Sequence, residues 1–166
     1  MNCPVCGTFN LEGSDSCENC GADLRSADLP APHGAIEAKL LEERLADLEP
    51  RRPVAVEPDD DVATAIAAMQ EHRIGCLTVE RAGRLVGIVT ERDVVQKLAG
   101  KSLKGILVAD VMTPDPVALR DDDTIAVAIN KMAVGGFRHI PLVRRGRVTG
   151  VVSARDLSHH LVVLLR

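Results

Sequence analysis

The sequence predicts a mixed α/β (α+β) fold: two β-α-β-β-α repeats forming one pseudo-two-fold module, preceded by a small four-cysteine metal ribbon and a linker helix. Three observations carry this. Residues 53–101 recur at a shift of 63 residues without a gap. Within each copy the apolar residues switch between strand and helix spacing. Four of the five cysteines fall in the first twenty residues. A gapless register of this kind means two copies of one supersecondary unit. The expected organisation is a ribbon at 1–24, a linker and amphipathic helix at 25–49, repeat 1 at 50–105 and repeat 2 at 106–166.

In the ribbon, Cys3 and Cys6 form one CxxC pair and Cys17 and Cys20 another, each followed by Gly (Gly7 and Gly21). Thiolates two residues apart reach one tetrahedral ion, and the glycine permits a positive-φ turn that aims backbone N–H groups at sulfur. About 22 residues bury too little surface to fold alone, so the metal supplies folding energy on the order of 10 kcal/mol. Zinc is the expected ion, and an iron knuckle carries the same pattern. Four thiolates close the coordination shell, which argues against catalysis at the metal. The ribbon carries Glu12, Asp15, Glu18 and Asp23 but no Lys or Arg, a poor grip for nucleic acid.

Residues 25–33, with Pro30 and Pro32, read as a linker. Ile36, Leu40, Leu41, Leu45 and Leu48 then lie on one side of a helix that is expected to run to Leu48 or Glu49, before Pro50 and Pro53. This helix is expected to dock on the repeats.

Each repeat opens on a short strand ended by an acidic turn, "PVAVEPDDD" and "PVALRDDDT". The carboxylates favour the positive end of the helix that follows. Val62, Ile66 and Met69, and Ile125, Ile129 and Met132, stand at helical spacing. Then come the strands "CLTVE" and "HIPLV", the Gly-containing turns "RAGR" and "RRGR", and the return strands "LVGIV" and "VTGVV". The closing helices are "ERDVVQKLAG" and "ARDLSHHLVVLL", the second bearing an apolar stripe of Leu157, Leu161, Leu164 and Leu165. Cys76 reads as a buried small residue, and His72, His159 and His160 as solvated helix groups.

Composition narrows the function. Hydrophobic residues make up 46%, there is no Trp or Tyr, and Phe9 and Phe137 are the only aromatic side chains of that class. Single-stranded nucleic acid is gripped by aromatic platforms and positive grooves, and the net charge here is −4. No apolar run reaches the length of a membrane span, and "MNCPVCG" is not a signal segment. A cytoplasmic location without membrane or nucleic-acid partners is expected.

The turns "GIVTERD" at 87–93 and "GVVSARD" at 150–156 join return strand to closing helix. Thr90 and Ser153 suit an N-cap, with Asp93 and Asp156 returning the bond as in a capping box. A helix N-terminus is also a natural phosphate site, and a short carboxylate beside it suits the vicinal hydroxyls of a ribose.

Together with "DVMTPDPV" at 110–117 and "HIPLV", these turns make the chain resemble a tandem pair of cystathionine-β-synthase (CBS) domains, a Bateman module. The first copy departs in having "DLEP" at 47–50 in place of "DVMT", and Thr78 where the second has Pro141. The resemblance implies adenosine-type ligands, with Asp93 and Asp156 on ribose hydroxyls and Thr90 and Ser153 near ribose or phosphate. It implies shared pockets, each closed by the opposite copy. Arg138 and His139 are then phosphate contacts near the interface, with Gly75 and Cys76 at the equivalent place. Arg92 and Arg155 are further phosphate candidates. It also implies a homodimer through the closing helices.

No nucleophile–base arrangement stands in a motif context, so the expected protein is a non-catalytic sensor. It binds an adenine nucleotide (AMP, ADP, ATP or a related adenosyl ligand) and signals to a protein partner. The alternatives are a ligand-independent interaction scaffold and, behind it, a nucleic-acid-binding regulator.

Overall fold

The structure is a computed structural model that describes residues 2, 3, 5–11, 14–22, 24 and 34–165. The expected linker at 25–33 lies outside the described residues. The chain divides into two compact units, Met1–Ala35 and Ile36–Arg166.

The first unit is built from two matching turns. The N–H of Gly7 donates to the carbonyl of Cys3, and that of Gly21 to the carbonyl of Cys17, each at 2.9 Å. Gly7 and Gly21 have φ of 73° and 70°, as the knuckle requires. Cys3, Cys17 and Leu24 form its small core.

The second unit contains, in order, α1 (Ala35–Glu42), a 3-10 turn (Leu45–Leu48), β1 (Ala55–Val56), α2 (Val62–His72), β2 (Cys76–Arg81), β3 (Arg84–Thr90) and α3 (Glu91–Leu98). It continues with α4 (Val108–Val111), β4 (Thr113–Pro114), α5 (Ile125–Gly135), β5 (His139–Arg144), β6 (Arg147–Ser153) and α6 (Ala154–Leu164). The sheet of repeat 1 runs β1-β2-β3-β4, with β1 parallel to β2 and the remaining pairs antiparallel. Repeat 2 has the β5–β6 hairpin, and its counterpart of β1 is reduced to a parallel bridge between Leu119 and Leu142. Helices α2 and α5 bury the same positions, Val62, Ala65 and Met69 against Ile125, Ala128 and Met132. Thr78 is fully buried, and its hydroxyl is satisfied by Glu80 at 3.0 Å.

The two copies exchange their lead segments. Leu45 is fully buried in the core of repeat 2, and Val108 and Val111 in the core of repeat 1. The backbone bonds match residue for residue at the shift of 63. The N–H of Leu45 donates to Asp123 O and that of Val108 to Asp60 O, both at 2.9 Å. Ala46 and Ala109 likewise donate to Asp121 O and Pro58 O at 2.9 Å. Each lead is closed by its own aspartate, with Asp47 accepting from Arg44 N at 2.8 Å and Asp110 from Leu107 N at 2.9 Å.

This corrects one expectation. The helix from Ala35 stops at Glu42 instead of Leu48, because Arg44 turns extended to bridge Thr124 and Glu43 O accepts from Ile125 N. The first copy also keeps a lead turn, although its "DLEP" differs from "DVMT". Docking of this segment is observed, through Leu40, Leu45 and Leu48.

Gly87 and Gly150 explain their place in both turns. A Cβ on Gly87 would lie 2.6 Å from Met112 Sδ, and one on Gly150 would lie 3.0 Å from Pro50 Cβ. The chain entering each repeat therefore crosses directly over the return strand of the other.

Candidate functional site

Thr90 and Ser153 are the N-caps of α3 and α6, and both form reciprocal capping boxes. In the first, the N–H and hydroxyl of Thr90 donate to Asp93 Oδ2 at 3.0 and 2.5 Å. In the second, the N–H and hydroxyl of Ser153 donate to Asp156 Oδ2 at 2.8 and 2.6 Å. The first helical N–H groups are also used, Glu91 N donating to Gly75 O and Ala154 N to Arg138 O. Strand starts and helix starts are thereby tied together around one central spot.

Two cavities open there. One, of about 430 Å³, brings Thr90, Asp93 and Arg92 together with Arg138 and His139 of the opposite copy. The other, of about 660 Å³, joins Ser153, Arg155 and Asp156 to Gly75 and Cys76, and again to Arg138 and His139. Gly75, Glu91, Arg138 and His139 line both. At Gly75 a Cβ would stand 3.5 Å from Glu91 Oε2 and 3.5 Å from the His139 ring, so this residue sits between the two groups.

The electrostatics follow from burial and neighbours. Burial opposes ionisation of Asp93, but hydrogen bonds from Thr90 and the Lys97 ammonium outweigh it and hold the carboxyl below its ordinary value. Burial and the Arg138 charge lower His139, with Glu91 and Asp156 opposing them, so the neutral ring is favoured. Burial pushes the Cys76 thiol up to about 12, with Asp156 and Glu91 adding to it, and the residue is buried as expected. His160 departs from expectation: it is paired with Glu43 at 2.6 Å, because the exchanged lead lies across α6.

In the first unit, Cys3, Cys6, Cys17 and Cys20 place their sulfurs within 4.8 Å of one another. Cys3 and Cys20 are 3.7 Å apart and Cys6 and Cys17 3.6 Å apart, too long for disulfides. Metal–sulfur bonds of about 2.3 Å in a tetrahedron require sulfurs about 3.8 Å apart, so the donor set fits a zinc-like ion. Cys6 is pulled down to about 5, chiefly by Thr8. Cys20 is pushed up to about 12: an Ala22 backbone bond lowers it, but the Cys6, Cys3 and Cys17 thiols and burial prevail. Four thiolates this close need a cation among them.

The family model of the CBS domain matches the chain twice, over residues 45–100 and 108–163. The chain belongs to the CBS-domain family. Both matches begin on the exchanged leads, at Leu45 and Val108. The chain is 32% identical over 121 residues to an uncharacterized 17.7 kDa protein of Acidianus ambivalens, covering 72% of this chain and 73% of that one. The crystal structure of a CBS-domain-containing protein from Agrobacterium tumefaciens superposes with a TM-score of 0.62 at 32% identity, covering 70% of this chain and 94% of that one. The structure of CBSX2 in complex with AMP has the same fold, with a TM-score of 0.65 at 24% identity, over 74% of this chain and 99% of that one.

The CBS pair thus brings every residue singled out at the turns and the interface into two cavities. Sequence reasoning missed Arg51, Arg52 and Arg73 in the larger one, and Asp115 in the smaller. A signal was present. Within the repeat, Arg52 stands opposite Asp115 and Arg73 opposite Gly136, differences that count only once those positions are known to face a cavity. Arg92 is placed differently from expectation in one respect, since its guanidinium already donates to Gly136 O at 3.1 Å.

Proposed function

We propose that this CBS pair is a non-catalytic sensor of adenine nucleotides that signals to a protein partner. The observation that carries the reading is geometric. Two helix N-termini, each with a carboxylate in its first turn, open into cavities closed by Arg138 and His139. Helix N-termini and arginines attract phosphate, and the carboxylate suits a ribose diol. Cavities of 430 and 660 Å³ fall within the range that holds small ligands. The AMP held by CBSX2 belongs to that protein and lends the nucleotide class plausibility for this fold. With Phe137 the one Phe, Tyr or Trp in either lining, adenine lies between aliphatic groups and is read by backbone atoms.

The four-cysteine cluster holds a structural zinc or iron ion, which elemental analysis distinguishes. Val5, Phe9 and Leu11 of the same unit are each more than 70% exposed, which supports a protein-docking role. Val162, Val163 and Leu165 at the end of the chain are exposed as well, and support self-association into a homodimer. Among the described residues, no helix is long and apolar enough to cross a membrane.

A thermal-shift panel of AMP, ADP, ATP, NAD and S-adenosylmethionine tests the reading. At a ligand concentration of about 100 times the dissociation constant the fold gains roughly 2.7 kcal/mol, a shift of several degrees. Absence of any shift with all five favours the ligand-independent scaffold.

A further inference from the structure

The two cavities are equivalent by position in the repeat, yet they offer a ligand different things. Around Asp93 both carboxylate oxygens are engaged. Oδ2 takes the Thr90 bonds, while Oδ1 accepts from Thr113 at 3.2 Å and pairs with Lys97 at 3.2 Å. Lys97 is itself anchored on the carbonyls of Val111 and Met112. Around Asp156 the corresponding positions are Pro50, which has no hydroxyl, and His160, which is turned to Glu43. Oδ1 of Asp156 has no partner among the described residues.

Charge separates the cavities independently. The Asp156 cavity is lined by Arg51, Arg52, Arg73, Arg138 and Arg155 against two carboxylates, those of Glu91 and Asp156. None of these five arginines is ion-paired among the described residues. The Asp93 cavity has two arginines against three carboxylates, and one of the two, Arg92, is already spent on a carbonyl. Unpaired guanidiniums grouped at one mouth are the arrangement that binds several phosphate oxygens at once.

We infer that the Asp156 cavity is the polyphosphate site of this chain. It takes an adenosine di- or triphosphate with the ribose hydroxyls on Oδ1 of Asp156 and the phosphates on the arginine cluster, while the Asp93 turn has become a helix cap. The inference rests on the adenine-nucleotide reading above and adds which site works and which ligand charge it selects.

Isothermal titration of the full chain with ADP, AMP and adenosine, at low and at high salt, tests it. A single ADP event per chain is expected, with AMP weaker and adenosine weaker still, and the gap between them narrowing as salt screens the exposed arginines. Asp156→Asn is expected to weaken ADP by more than about tenfold, the scale of a lost charge-assisted hydrogen bond. Asp93→Asn is expected to weaken it by less than about threefold. Arg52→Gln combined with Arg73→Gln weakens ADP more than adenosine. Should Asp93→Asn fail to fold, Lys97→Met with Thr113→Val frees Oδ1 of Asp93, and a second, weaker ADP event is expected. Two equal ADP events in the wild type, a larger loss in Asp93→Asn than in Asp156→Asn, the absence of that second event, or equal affinity for ADP and AMP at low salt overturns the inference and leaves the nucleotide reading standing. No binding of any of the three ligands overturns the nucleotide reading itself.

Discussion

Asp93 and Asp156 occupy one position of the repeat, and their neighbours give them different work. Thr113 and Lys97 hold one carboxylate on both oxygens, whereas Pro50 and His160 leave half of the other open. His139, between the cavities, makes a residue-scale prediction. Its folded-state value is lowered by burial and Arg138, so the unfolded chain binds more protons just below the ordinary value of about 6.5. Stability is therefore present above that value and is lost as pH falls through the window beneath it. Asp93 has the carboxylate counterpart of this effect: its lowered value contributes stability that is lost only in stronger acid. Melting curves between about pH 5 and about pH 8 are expected to show a decline in the wild type that His139→Gln reduces. An equal decline in both would contradict the assignment. The [ST]-x-x-D turns were legible in the sequence because capping chemistry depends on neighbours three residues away. The bond from Thr113 to the second oxygen of Asp93 was not, because Thr113 comes from the other repeat's lead.

The elements behave as exchanged pairs. The Leu45–Leu48 turn closes the core of repeat 2, and α4 closes that of repeat 1, through matching backbone bonds. Neither repeat buries its own lead, so neither core is complete without the other copy. Leu45→Ala, at a fully buried position, is expected to cost about 2–5 kcal/mol in urea unfolding. It should lower the stability of repeat 2 although Leu45 precedes repeat 1. A loss below about 1 kcal/mol would mean the turn is not packed as described. Of the five apolar residues expected to dock, Leu40, Leu45 and Leu48 pack on the core of repeat 2. The break at Glu43 was not legible, since tertiary bonds to the 121–125 loop override a helical spacing that is locally consistent. The shift of 63 does extend back through Ala46 and Asp47, which match Ala109 and Asp110, so the lead was recoverable from the repeat itself.

At the scale of the whole molecule, the β-α-β-β-α pair and the cysteine cluster were legible because both are written as periodic or spaced identities. The inequality of the two cavities was not, because it lies in positions where the copies differ and in side chains brought together from opposite halves. Duplication supplied two equivalent carboxylates, and divergence at Pro50, Arg52, Arg73 and His160 gives the second site both an open oxygen and a positive mouth. Arg138 and His139 line both cavities, so under the proposed reading a nucleotide in either one touches residues of both repeats. The most direct measurement is a crystal structure of the full chain grown with saturating ADP. The account predicts the ribose hydroxyls on the Asp156 carboxylate and the phosphates among the arginines. Ribose on Asp93 with the Asp156 cavity vacant, or no nucleotide in either cavity, would contradict it.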